Sequence, residues 1–372
     1  MNKTLKRAVF CAAIVIGSIA LLAGAFLGIL TIAEYRPADI ENLEIINHTG
    51  SMPQFKNANE ETILAKLSAN VPFNMLIWNI GYGSLDESQD FFMDGGKGVR
   101  PPTGENVKRN LSGIRDFITE ADCDITLIQE TDISSKRSYY TDQRSYLTEN
   151  FTGSSVFAFN FNSFFVPIPF PEFIGRVSSG LLTLNRYHTT EALRMSLPNP
   201  FTWPVRAVNL KRCLLISRIP VENSAAELVI INLHLEAYDS SGGGREAQTR
   251  AMLDFMYSEY AKGNYCIAGG DFNQNFPGID PRLFALKHSD YFVAGTLSQS
   301  LLDPGWKFAS SALTPSCRLL NEPYSGNPED TQLYIIDGFI LSPNVELIEV
   351  TAFDLGFKHS DHNPVKITVM LK

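Results

Sequence analysis

An apolar run of strand length, Tyr265 to Ala268, ends abruptly in Gly269-Gly270-Asp271-Phe272-Asn273. A buried strand that stops in this way places a carboxylate and a carboxamide at the rim of its sheet. Taken alone, a Gly-Gly-Asp sequence after a strand is typical of a simple turn. A functional interpretation needs other strands that bring polar side chains to the same rim. The two glycines would then let the backbone pass close beneath a bound phosphate.

Other apolar runs of similar length also end in polar residues. Val71 to Trp78 precedes Asn79, Ile125 to Ile128 precedes Gln129-Glu130, and Leu228 to Leu233 precedes His234. The first two runs are separated by an amphipathic helix with one apolar stripe, formed by Val107, Leu111, Ile114 and Ile118. This alternation predicts an α/β sheet whose polar strand ends share one edge, where ligands usually bind.

Two further segments near the C-terminus add charged residues to apolar runs. Asp337 lies in the middle of Tyr334 to Leu341, and His359-Ser360-Asp361-His362-Asn363-Pro364 directly precedes Val365 to Leu371. A carboxylate buried at position 337 needs a partner, because leaving it unpaired would cost several kcal/mol. The predicted partner is His362.

Composition narrows the class of protein. The 372 residues carry a net charge of −9, with a pI near 5.3, which argues against a DNA-binding module but only weakly against a nuclease. With 44% hydrophobic and 19% charged residues, the chain can bury a large core. We find no internal repeat and no break in composition after residue 71. Residues 71–372 are therefore predicted to form one catalytic domain.

The N-terminus contains 26 consecutive residues, 8–33, without a charged side chain. As a helix this run would be about 39 Å long, against a hydrocarbon core of roughly 30 Å. Lys3, Lys6 and Arg7 precede the run, and mainly acidic residues follow it, so the positive-inside rule predicts a cytoplasmic N-terminus. Residues 1–33 are predicted to be a single-pass anchor that leaves the catalytic domain outside the cytoplasm. Cleavage of a signal peptide at Ala23-Gly24-Ala25 is the alternative and would give a secreted protein.

Two segments lack a clear period. Residues 34–70 are polar and contain Pro37 and Pro53, and we interpret them as a juxtamembrane stalk with a short helix from Glu60 to Leu67. Residues 151–173 hold eight phenylalanines and three prolines. This Phe-rich segment either touches a membrane or forms strands and a core connection. The second interpretation is favoured, because clustered aromatic residues more often belong to a core.

The rim residues together suggest metal-assisted chemistry. They are Asn79, Glu130, His234, Asp271, Asn273, Asp337, Asp361 and His362. Carboxylates and carboxamides suit a hard cation such as Mg²⁺ or Mn²⁺, and the five cysteines show no zinc-like spacing. Two histidines can carry acid–base chemistry near neutral pH. Hydrolysis of a phosphate ester requires these same elements.

The order of these motifs resembles the endonuclease/exonuclease/phosphatase superfamily. The matching segments are Trp78-Asn79, Gln129-Glu130, Asn232-Leu233-His234, Gly270-Asp271-Phe272-Asn273, Ile336-Asp337 and Ser360-Asp361-His362-Asn363-Pro364-Val365. The resemblance covers roughly residues 71–372. It implies a four-layered sandwich, in which two mainly antiparallel sheets pack face to face and helices cover the outside. The transmembrane helix predicted from the uncharged N-terminal run precedes this domain. Because it has histidine at position 234, the sequence resembles the branches that contain deoxyribonuclease I and bacterial sphingomyelinases.

For the metal, the resemblance implies that Glu130 holds Mg²⁺ or Mn²⁺ with Asn79 close by, and that Asp361 adds a further carboxylate. Two arginines between site-bearing strands, Arg245 and Arg318, are candidates for contact with the substrate phosphate. The alternative for both arginines is a solvated surface position.

For the chemistry, the resemblance implies that Asp271 and Asn273 orient the attacking water and the phosphoryl oxygens. His362, held by Asp337, would act as general base. His234 would contact the scissile phosphate or protonate the leaving oxygen.

The sequence therefore predicts a membrane-anchored, metal-dependent phosphodiesterase or phosphatase, with a phospholipid or sphingolipid head group as the candidate substrate. An extracellular nuclease is the alternative, and an inactive binding module on the same fold is a further one. No stable nucleic-acid partner is expected, because the chain is acidic and lacks an aromatic and basic stacking pattern.

Overall fold

The structure is a computed structural model that describes residues 3–49, 65–239, 243–280, 284 and 286–372. Its helices and longer strands follow the apolar periods of the sequence. In chain order the elements are α1 (Lys3–Ile32), β1 (Ile40–Asn42), β2 (Ile45–Thr49), β3 (Pro72–Asn79), α2 (Gly104–Ala121), β4 (Ile125–Asp132), α3 (Gln143–Thr148), β5 (Thr152–Val166), β6 (Gly175–Asn185), β7 (Glu191–Ser196), β8 (Cys213–Pro220), β9 (Glu227–His234), α4 (Gly243–Ala261), β10 (Tyr265–Asp271), β11 (Gln274–Asn275), β12 (Gly295–Thr296), β13 (Lys307–Ala309), β14 (Cys317–Arg318), β15 (Leu333–Tyr334), β16 (Asp337–Leu341), β17 (Val345–Ala352) and β18 (Val365–Leu371).

Two sheets, each of seven strands among the described residues, form the body of the molecule. The first has the order β1-β7-β8-β9-β10-β16-β13, and the second has the order β17-β18-β3-β4-β6-β5-β2. Each sheet is mainly antiparallel but contains one parallel pair at its centre, β9 with β10 and β3 with β4. Strands that run in the same direction need a crossover, and α4 and α2 supply it. The predicted two-sheet α/β architecture is confirmed.

Alternation along β10 shows how the layers are built. Ile267 belongs to the apolar cluster between the two sheets, whereas Cys266 and Ala268 belong to the cluster under α4 with Met252 and Met256. Successive side chains of a strand point to opposite faces, so a fully apolar strand has both faces covered. The predicted stripe on α2 covers the other sheet in the same way. The order of layers is therefore helix, sheet, sheet, helix.

The segment interpreted as a stalk contributes an edge strand to each sheet. β1 pairs with β7 of the first sheet, and β2 pairs with β5 of the second. Edge strands need little apolar surface, so the polar composition of this segment conceals them. Of the short helix from Glu60 to Leu67, residues 60–64 lie outside the described residues. Ala65 and Leu67 form isolated bridges with Tyr187 and Val221 instead.

The N-terminal helix α1 is long and apolar enough to cross a membrane, and most of its side chains are exposed. Near its C-terminal end it contacts the body of the protein, where Leu30 is buried and the rings of Phe26 and Phe165 lie 6.3 Å apart.

The Phe-rich segment divides into two parts. Its first part is the largely buried strand β5, as predicted, and its second part is a loop that exposes Ile168 and Phe170.

Candidate active site

Six strands bring polar residues to one rim shared by the two sheets. Asn79 ends β3, Glu130 lies near the end of β4, His234 ends β9, Asp271 ends β10, Asp337 begins β16, and Asp361 and His362 directly precede β18. The parallel pairs place their carboxyl ends together, and the antiparallel neighbours β16 and β18 place their amino ends beside them. Seven of the eight predicted site residues are buried, and Glu130 is partly exposed.

Asp271 is the centre of a contact network. Its Oδ2 accepts a hydrogen bond from Nδ2 of Asn79 at 3.0 Å and lies 3.3 Å from Nε2 of His234. Its Oδ1 accepts the backbone N–H of Asn273 at 2.8 Å. Asn79 also donates to Oε1 of Glu130 at 3.3 Å, so its carboxamide bridges the two carboxylates. The network joins residues of both sheets.

The His362 ring is held on one side and open on the other. Its Nδ1 lies 2.8 Å from Oδ2 of Asp337, the contact that the sequence predicts. Its Nε2 lies 3.8 Å from Oδ2 of Asp271 and 3.9 Å from Oδ2 of Asp361, which is too far for a hydrogen bond. Asp337 therefore fixes the ring orientation and leaves Nε2 available inside the site.

Burial and crowding shift the pKa values of the cluster. Burial, together with the charge of Asp337, raises the pKa of Asp271 to about 7, and burial with the charge of Glu130 raises that of Asp361 to about 6. Burial lowers the pKa of His234 well below its usual value, and the charge of Arg212 adds to the effect. Several carboxylates thus share a buried space in which their negative charge is incompletely balanced.

For His362 two opposing influences meet. Burial alone would lower the pKa of the ring, but the adjacent Asp337 carboxylate outweighs it and holds the pKa well above its usual value. A cation beside Asp361 would oppose this protonation, since like charges repel.

Two site residues adopt a left-handed backbone conformation that is rare outside glycine. Glu130 has φ +56° and coincides with a break in the register between Ile128 and Thr131 of β4. Asn273 has φ +51°. Such backbone typically costs about 1–3 kcal/mol and persists where the surrounding structure enforces it. The bulge in β4 turns Glu130 out of the strand alternation and toward the site.

The glycines before Asp271 have a different role from the one predicted. A Cβ on Gly270, which has φ +146°, would lie 2.0 Å from the carbonyl oxygen of Leu233, and one on Gly269 would lie 2.6 Å from the Phe339 ring. Both glycines are therefore required by the close approach of neighbouring strands and side chains. The prediction that they make room for a phosphate was wrong, because the space they leave is filled by the protein itself.

The donor set fits a hard divalent cation. Ligand atoms of Asp271, Asp337 and His362 lie within 4.8 Å of one another, as do those of Cys317, Asp361 and His362, whereas Glu130, the predicted metal ligand, belongs to neither group. Burial raises the pKa of the Cys317 thiol to about 12, so it is a poor ligand near neutral pH and oxygen donors dominate. Oxygen-rich sites of this kind select Mg²⁺ or Mn²⁺.

A cavity of about 550 Å³ opens over the cluster. Its volume is within the range of roughly 300–1,000 Å³ that is typical of small-molecule sites. Glu130, His234, Asp271, Asp361 and His362 line its inner end. The cavity extends from there to the C-terminal part of α1, a connection that the sequence analysis did not anticipate.

The two arginines proposed for phosphate contact lie in different environments. Arg245 is in the first turn of α4, partly buried, with Nη1 donating to the carbonyl oxygen of Asn273 at 3.2 Å. Arg318 is buried in β14, so the alternative of a solvated surface position was wrong for it. Its guanidinium donates to the backbone carbonyl groups of Asp86, Gln89, Leu319 and Glu322. These bonds explain its burial, because a buried guanidinium requires acceptors.

Arg212 is a site residue that sequence reasoning missed. It is 5% exposed, lines the cavity, and lies 3.6 Å through Nε from Oε2 of Glu236. Its Nε and Nη1 make no hydrogen bond within the described part of the chain. A buried cation with unused donors is suited to bind an anion. Its position at the start of a strand-like run gave no signal of this role.

Behind the site, two amides connect the sheets. Nε2 of Gln129 on β4 donates to Oδ1 of Asn232 on β9 at 2.8 Å. Nδ2 of Asn232 donates to the carbonyl oxygens of Leu182 at 3.0 Å and Ile128 at 3.3 Å. Both amides are completely buried. They form a polar link between two otherwise apolar sheet faces, one residue before Glu130 and two before His234.

Fold and site together define a two-sheet sandwich with an acidic, histidine-containing rim. The sequence profile of the Endonuclease/Exonuclease/phosphatase family matches residues 76–362, which is most of the chain. The chain belongs to this family, whose members are mostly hydrolases of phosphodiester bonds and generally use divalent metals. Comparison with curated proteins finds no match.

Two solved structures with TM-scores above 0.5 show the same fold at low identity, and a third is reported for its similarity alone. An endonuclease/exonuclease/phosphatase from Beutenbergia cavernae DSM 12333 is 16% identical, with 81% of this chain and 72% of that chain covered and a TM-score of 0.56. A conserved protein of unknown function from Enterococcus faecalis V583 is 15% identical, with 80% and 100% covered and a TM-score of 0.52. D. rerio TDP2 complexed with a single strand DNA product is 15% identical, with 81% and 99% covered and a TM-score of 0.46.

Proposed function

We propose that this protein is a divalent-cation-dependent phosphoric ester hydrolase, acting as a phosphodiesterase or phosphatase at a membrane. The observation that carries the proposal is the network around Asp271, which joins Asn79, Glu130 and His234 to the His362–Asp337 pair across the two sheets. Carboxylates, a carboxamide and two differently tuned histidines are the groups that phosphoester hydrolysis requires.

The metal would be held at the partly exposed side of the cluster. Glu130, Asn79 and Asp361 would hold Mg²⁺ or Mn²⁺, whose chemistry when bound is charge neutralisation on the phosphoryl oxygens. The raised pKa of Asp361 supports this assignment, because burial and the charge of Glu130 disfavour its ionised form and a bound cation would stabilise that form.

The remaining groups orient water and move a proton. Asp271 and Asn273 would orient the attacking water and the phosphoryl oxygens. With the bound cation opposing protonation of the ring, His362 would accept the proton of that water at Nε2, since Asp337 occupies Nδ1. His234 is uncharged near neutral pH because its pKa is lowered, and this favours contact with a phosphoryl oxygen over proton donation.

We further propose that α1 anchors the protein as a single-pass helix. Its length and apolar surface support a membrane span, and the basic residues Lys3, Lys6 and Arg7 before the uncharged run support a cytoplasmic N-terminus. The catalytic domain would then lie outside the cytoplasm.

The test is hydrolysis of bis(p-nitrophenyl) phosphate by the detergent-solubilised full chain. We expect turnover with Mg²⁺ or Mn²⁺ and its loss in EDTA. His362→Ala should reduce the rate at least about 100-fold, which is the low end for loss of a general acid–base group. The matched control is His188→Ala, since His188 is exposed and remote from the network. Wild-type turnover by His362→Ala would refute the assignment.

A substrate panel of plasmid DNA, RNA, sphingomyelin, phosphatidylinositol phosphates and soluble inositol phosphates then separates the classes. Preferential cleavage of DNA or RNA would instead identify an extracellular nuclease. A wild-type protein that is inert on every phosphoester with every divalent metal would identify a binding module.

A further inference from the structure

The cavity above the catalytic cluster leads to the N-terminal helix. Its inner end is lined by His234, Asp271 and His362, and its outer end by Phe26 and Leu30 of α1. Residues separated by more than 200 positions thus line one continuous space. A soluble phosphoester would use only the inner end.

The wall between the two ends is apolar. Phe161 and Val166 of β5 and Ile174 before β6 belong to one buried apolar cluster and line the cavity. Leu210, which packs against this cluster, and the partly buried Val208 also line it. An apolar wall of this kind binds hydrocarbon more favourably than water or a charged ligand.

Ion pairs and a hydrogen bond join the end of α1 to the proposed catalytic domain, and they hold the helix against the cavity. Glu34, two residues beyond the helix, lies 3.0 Å from both Nζ of Lys211 and Nε of Arg206. Its side chain is 2% exposed, and the indole Nε1 of Trp203 donates to Oγ1 of Thr31 at 3.0 Å.

Exposed apolar side chains surround the same end of α1. Phe170 is 85% exposed, Phe164 65% and Trp203 54%. Phe164 lies near the end of β5, Phe170 on the loop that follows it, and Trp203 on a turn before β8. Grouped exposed aromatic residues are unusual on a water-facing surface and are typical of the membrane–water boundary. A helix that leaves the bilayer near residue 32 would bring this face to the bilayer surface.

From these observations we propose that the cavity binds an acyl chain of a phosphoester lipid. The lipid would enter from the bilayer beside α1, lay its chain along Phe161, Val166 and Ile174, and present its phosphate to Arg212 and the catalytic cluster. The inference rests on the proposed hydrolase function and adds the substrate class. Arg212, like Arg137 and Arg318, lines the cavity. Its charge acts on His234 of the catalytic cluster, which places a positive charge where the phosphate would lie.

The first test uses the wild-type full chain and a series of alkyl p-nitrophenyl phosphates, from methyl to decyl, below their critical micelle concentrations. In each, water adds at phosphorus, the bond to the aryl oxygen breaks, and p-nitrophenolate and the alkyl phosphate are released with a proton. We expect kcat/KM to rise by up to about fourfold per buried methylene and then to level off when the cavity is filled. A kcat/KM that is independent of chain length would overturn the proposal.

The second test uses two tryptophan substitutions on α1, two residues apart. Leu30→Trp narrows the cavity mouth, whereas Ile32→Trp is a matched control because Ile32 is 89% exposed and does not line the cavity. We expect Leu30→Trp to lower the ratio of decyl to methyl kcat/KM at least about 10-fold, and Ile32→Trp to keep the wild-type ratio. Val208→Trp, at another apolar position of the cavity lining, should lower the same ratio. Wild-type ratios in both narrowed variants would refute the acyl site.

The outcomes separate the two proposals. A wild-type chain that cleaves neither the methyl nor the decyl ester with any divalent metal contradicts the hydrolase function itself. A chain that cleaves both at the same kcat/KM retains that function and loses only the lipid site.

Discussion

Oδ2 of Asp337 lies 2.8 Å from Nδ1 of His362, and both residues are buried at the rim between the two sheets. The carboxylate selects the tautomer that carries hydrogen on Nδ1 and leaves Nε2 to accept a proton. Asp337→Asn preserves shape and volume but removes the charge that stabilises the imidazolium. We expect kcat to fall at least about 100-fold, within the range of general acid–base contributions. Asp303→Asn, at an exposed position, is the control and should leave kcat unchanged.

Glu130 is the site carboxylate most open to solvent, with a 24% exposed side chain. Because it is proposed to hold the cation, Glu130→Gln should raise the Mg²⁺ or Mn²⁺ concentration needed for half-maximal rate about 10-fold or more. The measurement is a metal titration of EDTA-treated protein. Glu120→Gln, on the exposed face of α2, should titrate like the wild type. An unchanged midpoint for Glu130→Gln would show that other residues of the cluster hold the metal.

Arg212 is a buried cation that lines the cavity, and its Nε lies 3.6 Å from Oε2 of Glu236. Arg212→Gln should raise KM for bis(p-nitrophenyl) phosphate about 10-fold, since a charge-assisted hydrogen bond to the phosphate is lost. Arg212→Lys should recover part of the affinity, because lysine keeps the charge but not the fork. Arg250→Gln on the exposed face of α4 is the control. A change in thermal stability with no change in KM would assign Arg212 a purely structural role.

Glu34 fixes α1 to the two-sheet body of the protein and provides a prediction about pH. Burial alone would raise the pKa of this carboxyl, but hydrogen bonds and charge from Lys211, with help from Arg206 and Arg36, lower it below the usual 4.5. Because the pKa is lower in the folded than in the unfolded protein, the contact contributes its full stability at pH values above the usual 4.5. This stability is lost as the pH falls through the lowered pKa of the folded protein.

Glu34→Gln should therefore lower the free energy of unfolding at pH 7 by about 1.5–3 kcal/mol, the usual worth of hydrogen bonds to charged groups. The difference from wild type should stay constant from about pH 6 to 8 and disappear in acid. Thermal unfolding of the detergent-solubilised chain measures it, with the exposed Glu44→Gln as control. A difference that grows in acid would contradict the ion-pair explanation.

Substitution of Gly270 tests whether backbone strain or a steric clash sets the loss of stability at this position. Gly270→Ala places a Cβ 2.0 Å from the Leu233 carbonyl oxygen, at a backbone φ of +146°. We expect a large loss of stability or failure to fold. Gly326→Ala has a comparable positive φ of +82°, but its Cβ meets no described atom within 4 Å, so only about 1 kcal/mol should be lost. Equal losses in the two variants would show that strain, and not the contact with Leu233, governs position 270.

The central strands could be predicted because their signals are local. An apolar run that ends in Asn79, His234 or Asp271 predicts both a strand and the polar residue at its end. In the same way, β18 matches the predicted run from Val365 to Leu371. The contact of His362 with Asp337 followed from the cost of an unpaired buried carboxylate. Edge strands β1 and β2 carry no such signal, since half of each remains in contact with solvent.

The cavity and Arg212 could not be predicted because they depend on how distant segments assemble. The wall of the cavity combines residues near positions 26–30, 161–174 and 201–210, each of which is merely apolar in the sequence. Arg212 becomes notable only because the folded chain buries it without sufficient acceptors. The φ of +56° at Glu130 likewise follows from the register of β4 against β6, which no local pattern encodes.

The link between Gln129 and Asn232 gives the site a built-in alignment. The proposed site residues come from both sheets, with Glu130 directly after Gln129 on one and His234 two residues after Asn232 on the other. Apolar faces alone tolerate sliding, because dispersion contacts have little directional preference. A hydrogen bond of 2.8 Å is directional and fixes where one half of the site lies relative to the other. The distance between the proposed metal ligand and the phosphate-contacting histidine is thus set by a neutral amide pair that never meets the substrate.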